Sequence, residues 1–126
     1  MNAQEQAKNA IRWIDTLPSY KQAPMGRRGR LGLKTIGFCC LGAGCKELSI
    51  DYDPYGSYSR DFRLSVGLRH SNGSFADDNI YYGEARLDDI NDNTNAGFKR
   101  ISKLMKTHPD WMFNPEVAQL IKEHYS

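Results

Sequence analysis

The sequence predicts a single α+β domain spanning residues 1–126, mostly helical with a small antiparallel β-hairpin. Three observations predict this class: apolar stripes of helical period near both ends of the chain, a strictly alternating segment in the middle, and an Asn-Gly pair soon after it. The chain has 126 residues, of which 40% are hydrophobic and 25% charged. This balance suits one ordinary globular core and excludes a disordered chain.

An amphipathic helix is predicted over residues 3–17. Its apolar residues recur at three- and four-residue spacing, and Pro18 ends it. We expect Trp13 to lie at the margin of this stripe. The stripe consists of Ala3, Ala7, Ala10, Ile11, Ile14 and Leu17.

A second helix is predicted from Gly37 to Leu48. Its larger apolar residues share one face, since they are spaced by three, four and three positions. Gly42 and Gly44 each lower the helix propensity by roughly 1 kcal/mol relative to alanine, so we expect a close backbone neighbour on their side. The shared face consists of Phe38, Leu41, Cys45 and Leu48.

A β-hairpin is predicted in the middle of the chain. Residues 62–70 alternate apolar and polar side chains, which is the period of a half-buried strand. Asn72-Gly73 follows, and this pair favours a type I′ hairpin turn because both central residues of that turn need a positive φ. The returning strand is expected over residues 74–82.

Two helices are predicted in the last third of the chain. One begins near Asn95 and ends at His108-Pro109, and the other begins at Asn114-Pro115, where an N-cap residue precedes a proline at the first helical position. The first of these has an apolar stripe and a set of cations that we expect to face water. The stripe is Phe98, Ile101, Leu104 and Met105, and the cations are Lys99, Arg100, Lys103 and Lys106.

The cysteines Cys39, Cys40 and Cys45 lie within seven residues. An odd number in one short segment is a poor disulfide framework, so we expect reduced thiols and a cytoplasmic protein. Their spacing does not match a zinc site, and we predict neither a metal nor a cofactor. The thiols are interpreted as core packing, with a catalytic Cys39 or Cys40 near a helix N-terminus as the alternative.

A basic, glycine-rich stretch and a later Asp- and Asn-rich segment are the candidate ligand-binding residues. Guanidinium groups on a flexible loop suit phosphates or carboxylates, with a solvated loop as the simpler alternative. The later segment, residues 87–95, is typical of turns and helix caps. The predicted ligand-binding residues are Arg27, Arg28, Arg30, Lys34, Asn91 and Asp92.

The landmarks of the chain, taken in order, resemble a set of small phage and prophage proteins. Those proteins have a tryptophan in the first helix, a Phe-Cys-Cys-Leu-Gly segment, and a late Leu-x-x-x-Asn-Asp followed by Phe-x-x-Ile. The resemblance covers all but about the last fifteen residues. The matching positions are Trp13, Phe38 to Gly42, Leu87, Asn91, Asp92, Phe98 and Ile101.

The resemblance implies a phage or prophage source, with no activity attached to it. It also implies a helical middle around Gly67-Leu68, which conflicts with the predicted strand. Finally, it suggests that Asn91 or Asp92 ties down backbone near the cysteine helix.

The function predicted from these observations is a phage-type, non-enzymatic binding protein that counteracts a host defence system. Its partner is expected to be a host protein or a small anionic ligand such as a nucleotide, and tyrosines at 52, 55, 58, 81 and 82 suit a protein interface or base stacking. The alternatives are a cysteine-dependent enzyme and a weak nucleic-acid-binding regulator. A net charge of only +2 argues against the latter. We expect no membrane span, and homo-oligomerisation is left open.

Overall fold

The computed structural model describes residues 1–24, 30–33 and 37–126. In these ranges the chain forms helices packed around one buried apolar cluster, together with one pair of very short strands. The elements are α1 (Ala3–Thr16), a 3₁₀ turn (Leu17–Ser19), β1 (Gly32–Leu33), β2 (Gly37–Phe38), α2 (Cys40–Glu47), α3 (Arg60–Val66), α4 (Leu87–Asn93), α5 (Phe98–Thr107), α6 (Pro109–Met112) and α7 (Pro115–Tyr125). No helix in the described ranges is both long enough and apolar enough to cross a membrane.

Helix α1 forms the centre of the packing. The Asn2 side chain caps it by accepting a hydrogen bond from the Glu5 N–H at 2.9 Å. Trp13 is fully buried, not at the margin as expected, because the rings of Phe62 and Phe113 both pack against it edge-on. The ring of Phe62 comes from α3, so α1 and α3 share a core contact that the sequence pattern did not indicate.

Helix α2 is shorter than predicted, because residues 37–38 belong to β2, which pairs antiparallel with β1. The expected close backbone neighbour is confirmed at Gly42, whereas the close neighbour of Gly44 is a side chain. A Cβ atom on Gly42 would lie 1.8 Å from the Leu31 carbonyl oxygen, and one on Gly44 would lie 2.3 Å from the Phe62 ring. Only glycine permits this close packing of α2.

The predicted hairpin over residues 62–82 is wrong. Residues 60–66 form α3, capped by Ser59 at its start and ended by Gly67 with φ 72°. Phe62 and Val66 are four residues apart and both buried, whereas Leu64 is 47% exposed. The apolar residues of the alternating pattern therefore do not share one face of a strand; Phe62 and Val66 form the buried face of a short helix. Helix α3 ends at Gly67, so the helix lies before the Gly67-Leu68 pair around which the resemblance implied a helical middle.

The segment between α3 and α4 contains turns and isolated bridges, with no ladder in its described residues. Asn72-Gly73 does form a turn, in which Gly73 has φ 74° and the Asn72 side chain accepts from the Ser74 N–H at 2.9 Å. A two-residue turn occurs further on, at Tyr82-Gly83, where Tyr81 and Glu84 exchange backbone hydrogen bonds of 2.9 and 3.0 Å.

The last third of the chain is helical as predicted, with α5 and α7 in the expected places. Two short helices were not predicted. Residues 87–93, interpreted as turns and caps, form α4, and the His108-Pro109 stop is followed at once by α6.

Candidate functional site

The predicted basic site falls largely outside the described residues. Arg27, Arg28 and Lys34 are not among them, so their predicted role stays a prediction. Arg30 is exposed, and its guanidinium carbon lies 5.9 Å from the centre of the Tyr55 ring. This contact places Arg30 beside the 53–57 loop.

Asn91 occupies a structural position. Its side chain is fully buried, and its Oδ1 atom accepts hydrogen bonds from the Cys40 N–H at 3.2 Å and from the Gln22 side chain at 3.1 Å. Its Nδ2 atom donates to Asp92 at 2.9 Å. The expectation that Asn91 ties down backbone near the cysteine helix is confirmed.

Asp92 lines a small cleft of about 140 Å³, together with Asp88, Asp89 and Arg86. Arg86 donates two hydrogen bonds to Asp88, at 2.8 and 2.6 Å, and Asp88 also accepts from the Tyr58 hydroxyl at 2.9 Å. The hydrogen bond to Asp88 raises the pKa of Tyr58. Because Arg86 already pairs with Asp88 and Asp89 and the lining has three aspartates to one arginine, the cleft does not suit an anion.

The three thiols lie in the core, as the packing interpretation predicted. Cys39, Cys40 and Cys45 are 4%, 0% and 0% exposed. Burial raises the pKa of Cys39 to about 12 and that of Cys45 to about 11, and it raises the pKa of Cys40 well above its ordinary value. The Cys39 sulfur instead caps α2, accepting from the Gly42 N–H at 3.3 Å. Thiols in this state are poor nucleophiles, because the thiolate is the reactive form.

Among the described residues, no cluster of three or more His, Cys, Asp or Glu side chains could hold a metal ion.

A different cavity, of about 330 Å³, combines aromatic rings with cations, and we call it the aromatic–basic pocket. It lies between the Tyr82-Gly83 turn, one side of α5 and the start of α6. No acidic residue is found among the described residues that line it. These residues are Tyr81, Tyr82, Arg100, Lys103, Leu104, Thr107, His108 and Trp111.

Helix α5 presents the cations of this pocket. Arg100, Lys103 and Thr107 are spaced by three and four residues, so they share one side of the helix. Both cations are exposed, and neither forms a salt bridge with another described residue. The positive charge of this wall is therefore available to a ligand.

His108 and Trp111 form an aromatic wall of the pocket, and other contacts hold these rings in place. The rings of His108 and Trp111 are stacked, with centres 4.2 Å apart and planes 13° apart, and Phe75 packs against Trp111 at 5.5 Å. The Trp111 carbonyl also accepts from the Ala76 N–H at 2.7 Å. Trp111 is thus fixed from two sides while one part of it lines the pocket.

Tyr82 lines the pocket and has an unfavourable backbone conformation. Its φ is 54°, and the left-handed region costs a residue with a Cβ atom about 1–3 kcal/mol. Gly83, with φ 76°, completes the type I′ geometry in which asparagine or glycine is preferred at the Tyr82 position. The Tyr82 ring packs edge-on against Tyr81 at 4.7 Å, and its hydroxyl accepts a hydrogen bond from the Arg100 guanidinium.

The sequence did not indicate this pocket. We expected Arg100 and Lys103 to face water, and the tyrosines to suit a protein interface or base stacking. Helix α6, which brings Trp111 to the site, was not predicted. The one usable signal was four cations and no acid within α5.

No family model, curated protein or solved structure matches this chain.

Proposed function

We propose that this protein is a non-enzymatic binding protein that holds a small anionic ligand in the aromatic–basic pocket. The proposal depends on one observation: Arg100 and Lys103 both line the same cavity, and no acidic residue of the described ranges lines it with them. At about 330 Å³ the cavity falls at the lower end of the range of small-molecule sites, roughly 300–1,000 Å³.

The charge distribution along α5 supports the binding of an anionic ligand. The helix carries four cations and no acidic side chain. Lys106 lies over the Tyr125 ring at 5.3 Å, outside the pocket, while Arg100 and Lys103 line it. Hydrogen bonds between cationic donors and an anion are about twice as strong as neutral ones, so Arg100 and Lys103 are the donors that we expect to hold the anion.

The burial of the thiols favours a binding protein over a cysteine-dependent enzyme. A nucleophilic cysteine needs a lowered pKa and access to substrate, and Cys39 and Cys40 have raised pKa values and almost no exposed surface.

Equilibrium dialysis of AMP and of pyrophosphate at low ionic strength tests the proposal. The variant Arg100→Gln/Lys103→Gln should bind at least one of the two anions about tenfold or more weakly, because hydrogen bonds to charged groups are lost. The matched control Lys99→Gln/Lys106→Gln removes the same charge from the same helix outside the pocket, and it should stay within about twofold of wild type. Equal weakening in both variants, or no binding of either anion to wild type, would contradict the proposal.

The proposal extends to a phage setting, supported by the sequence resemblance. Capture of an anionic signal by the pocket would weaken a host defence that depends on that signal. Expressed in a host that restricts phage infection, the wild-type protein should raise plaque numbers and the Arg100→Gln/Lys103→Gln variant should not. Equal protection by both proteins would instead favour binding of a host protein at another surface.

A further inference from the structure

We infer that the anion is a mononucleotide, with its base against the aromatic wall of the pocket and its phosphate on Arg100 and Lys103. This inference rests on the proposed function and narrows its ligand class. Two kinds of side chain line the cavity: cations on α5, and aromatic rings on the Tyr82-Gly83 turn and on α6. A ligand that satisfies both must itself have an anionic part and an aromatic part.

The aromatic wall is suited to a planar ring. Tyr81, His108 and Trp111 line the cavity, and Trp111 is held by stacking on His108 and by its contact with Phe75. Rings fixed before binding lose little conformational freedom when a base stacks on them. Such stacking tolerates any base, since every base has a π-face.

The cationic wall keeps donors for the phosphate. Arg100 uses one N–H group on the Tyr82 hydroxyl, and a guanidinium has five N–H donors in all. Lys103 lies one helical turn along the same side, so both groups can reach one phosphate.

Tyr82 is the residue that links the two walls. It adopts a conformation that favours asparagine or glycine, yet its aromatic ring lines the pocket in contact with Arg100. Contact between the Tyr82 ring and the ligand would explain why a tyrosine occupies a position whose backbone conformation costs free energy.

The test compares three probes by isothermal titration calorimetry: AMP, ribose 5-phosphate and adenosine. We expect AMP to bind at least about tenfold more tightly than either fragment. Tyr82→Asn keeps a residue that tolerates the turn but removes the ring together with the hydroxyl that accepts from Arg100. It should weaken AMP binding between about fivefold and a hundredfold, and by a larger factor than it weakens ribose 5-phosphate binding. Tyr55→Asn, a matched loss of an exposed tyrosine that contacts Arg30, should leave AMP binding unchanged.

The outcomes separate this inference from the proposed function. If ribose 5-phosphate binds as tightly as AMP and Tyr82→Asn changes neither, the mononucleotide is refuted while an anion site at Arg100 and Lys103 stands. If Tyr55→Asn, and not Tyr82→Asn, weakens AMP binding, the ligand lies at the Arg30 loop and both are refuted. A single-stranded oligonucleotide that binds tenfold more tightly than AMP would also overturn the inference.

Discussion

Replacing Asn91 with alanine removes the hydrogen bonds that join α4 to the start of α2. The Oδ1 atom of Asn91 accepts from the Cys40 N–H at 3.2 Å and from Gln22 at 3.1 Å, inside a fully buried environment. The Cys40 N–H is in the first turn of α2 and has no partner within the helix. In the variant this donor is left unsatisfied in the core.

The expected cost follows from the loss of these contacts. A buried donor without a partner costs about 1–3 kcal/mol, and the loss of the Gln22 bond and of side-chain packing brings the expected loss to about 2–4 kcal/mol. For a chain of 126 residues, an unfolding entropy of roughly 2.1 cal/mol/K per residue converts this loss to a fall in Tm of about 8–15 °C.

Urea and thermal unfolding followed by far-UV circular dichroism measure this loss. Asn93→Ala is the matched control, because Asn93 belongs to the same helix but is exposed. We expect the control to stay within about 0.5 kcal/mol of wild type. If Asn91→Ala is as stable as Asn93→Ala, the Asn91 contact does not hold α2 in place and the reasoning is refuted.

Three further predictions concern α2 and the thiols. The native protein should react with iodoacetamide at pH 8 far more slowly than the urea-unfolded protein, and equal rates would show that the thiols are accessible. The contribution of the buried thiols to the free energy of unfolding should be fully present below about pH 8.5. It should fall as pH rises toward the folded-state pKa of Cys45, about 11, because unfolded thiols ionise first, at a cost of about 1.4 kcal/mol per thiol per pH unit. Equal urea midpoints at pH 8 and pH 10 would contradict this. Gly42→Ala should destabilise the fold by about 3 kcal/mol or more, since its Cβ would lie 1.8 Å from the Leu31 carbonyl oxygen, whereas at Gly56 the nearest atom is 3.2 Å away. Similar urea midpoints for Gly42→Ala and Gly56→Ala would refute that packing.

The long amphipathic helices could be predicted from the sequence because their apolar stripes recur over several turns. Helices α1, α5 and α7 begin and end close to the predicted positions, at caps and prolines. The glycines of α2 also indicated a close neighbour correctly, because a missing side chain in a helix has a local cost that packing must offset.

The middle of the chain could not be predicted in the same way. In a segment as short as α3, inward residues at 62 and 66 satisfy a period of two as well as a helical spacing, and the Asn72-Gly73 turn reinforced the wrong choice. Tertiary packing of Phe62 against Trp13 decides the outcome, and periodicity alone does not contain that information.

The aromatic–basic pocket depends on tertiary contacts as well. Tyr82 lies 18 residues before Arg100 along the chain, and the fold brings the two side chains together. Trp111 reaches the same pocket because α6 follows α5 directly. The sequence could supply the side chains, but it could not show that they line one cavity.

The two tryptophans of the chain allow a direct test of the pocket as the ligand site. In a ¹⁵N-labelled sample titrated with AMP, the Trp111 indole N–H resonance should shift saturably, because Trp111 lines the pocket. The Trp13 indole N–H, buried and donating to the Cys40 carbonyl at 2.9 Å, should stay in place as an internal reference. Saturable AMP binding that leaves the Trp111 resonance unmoved would contradict the account.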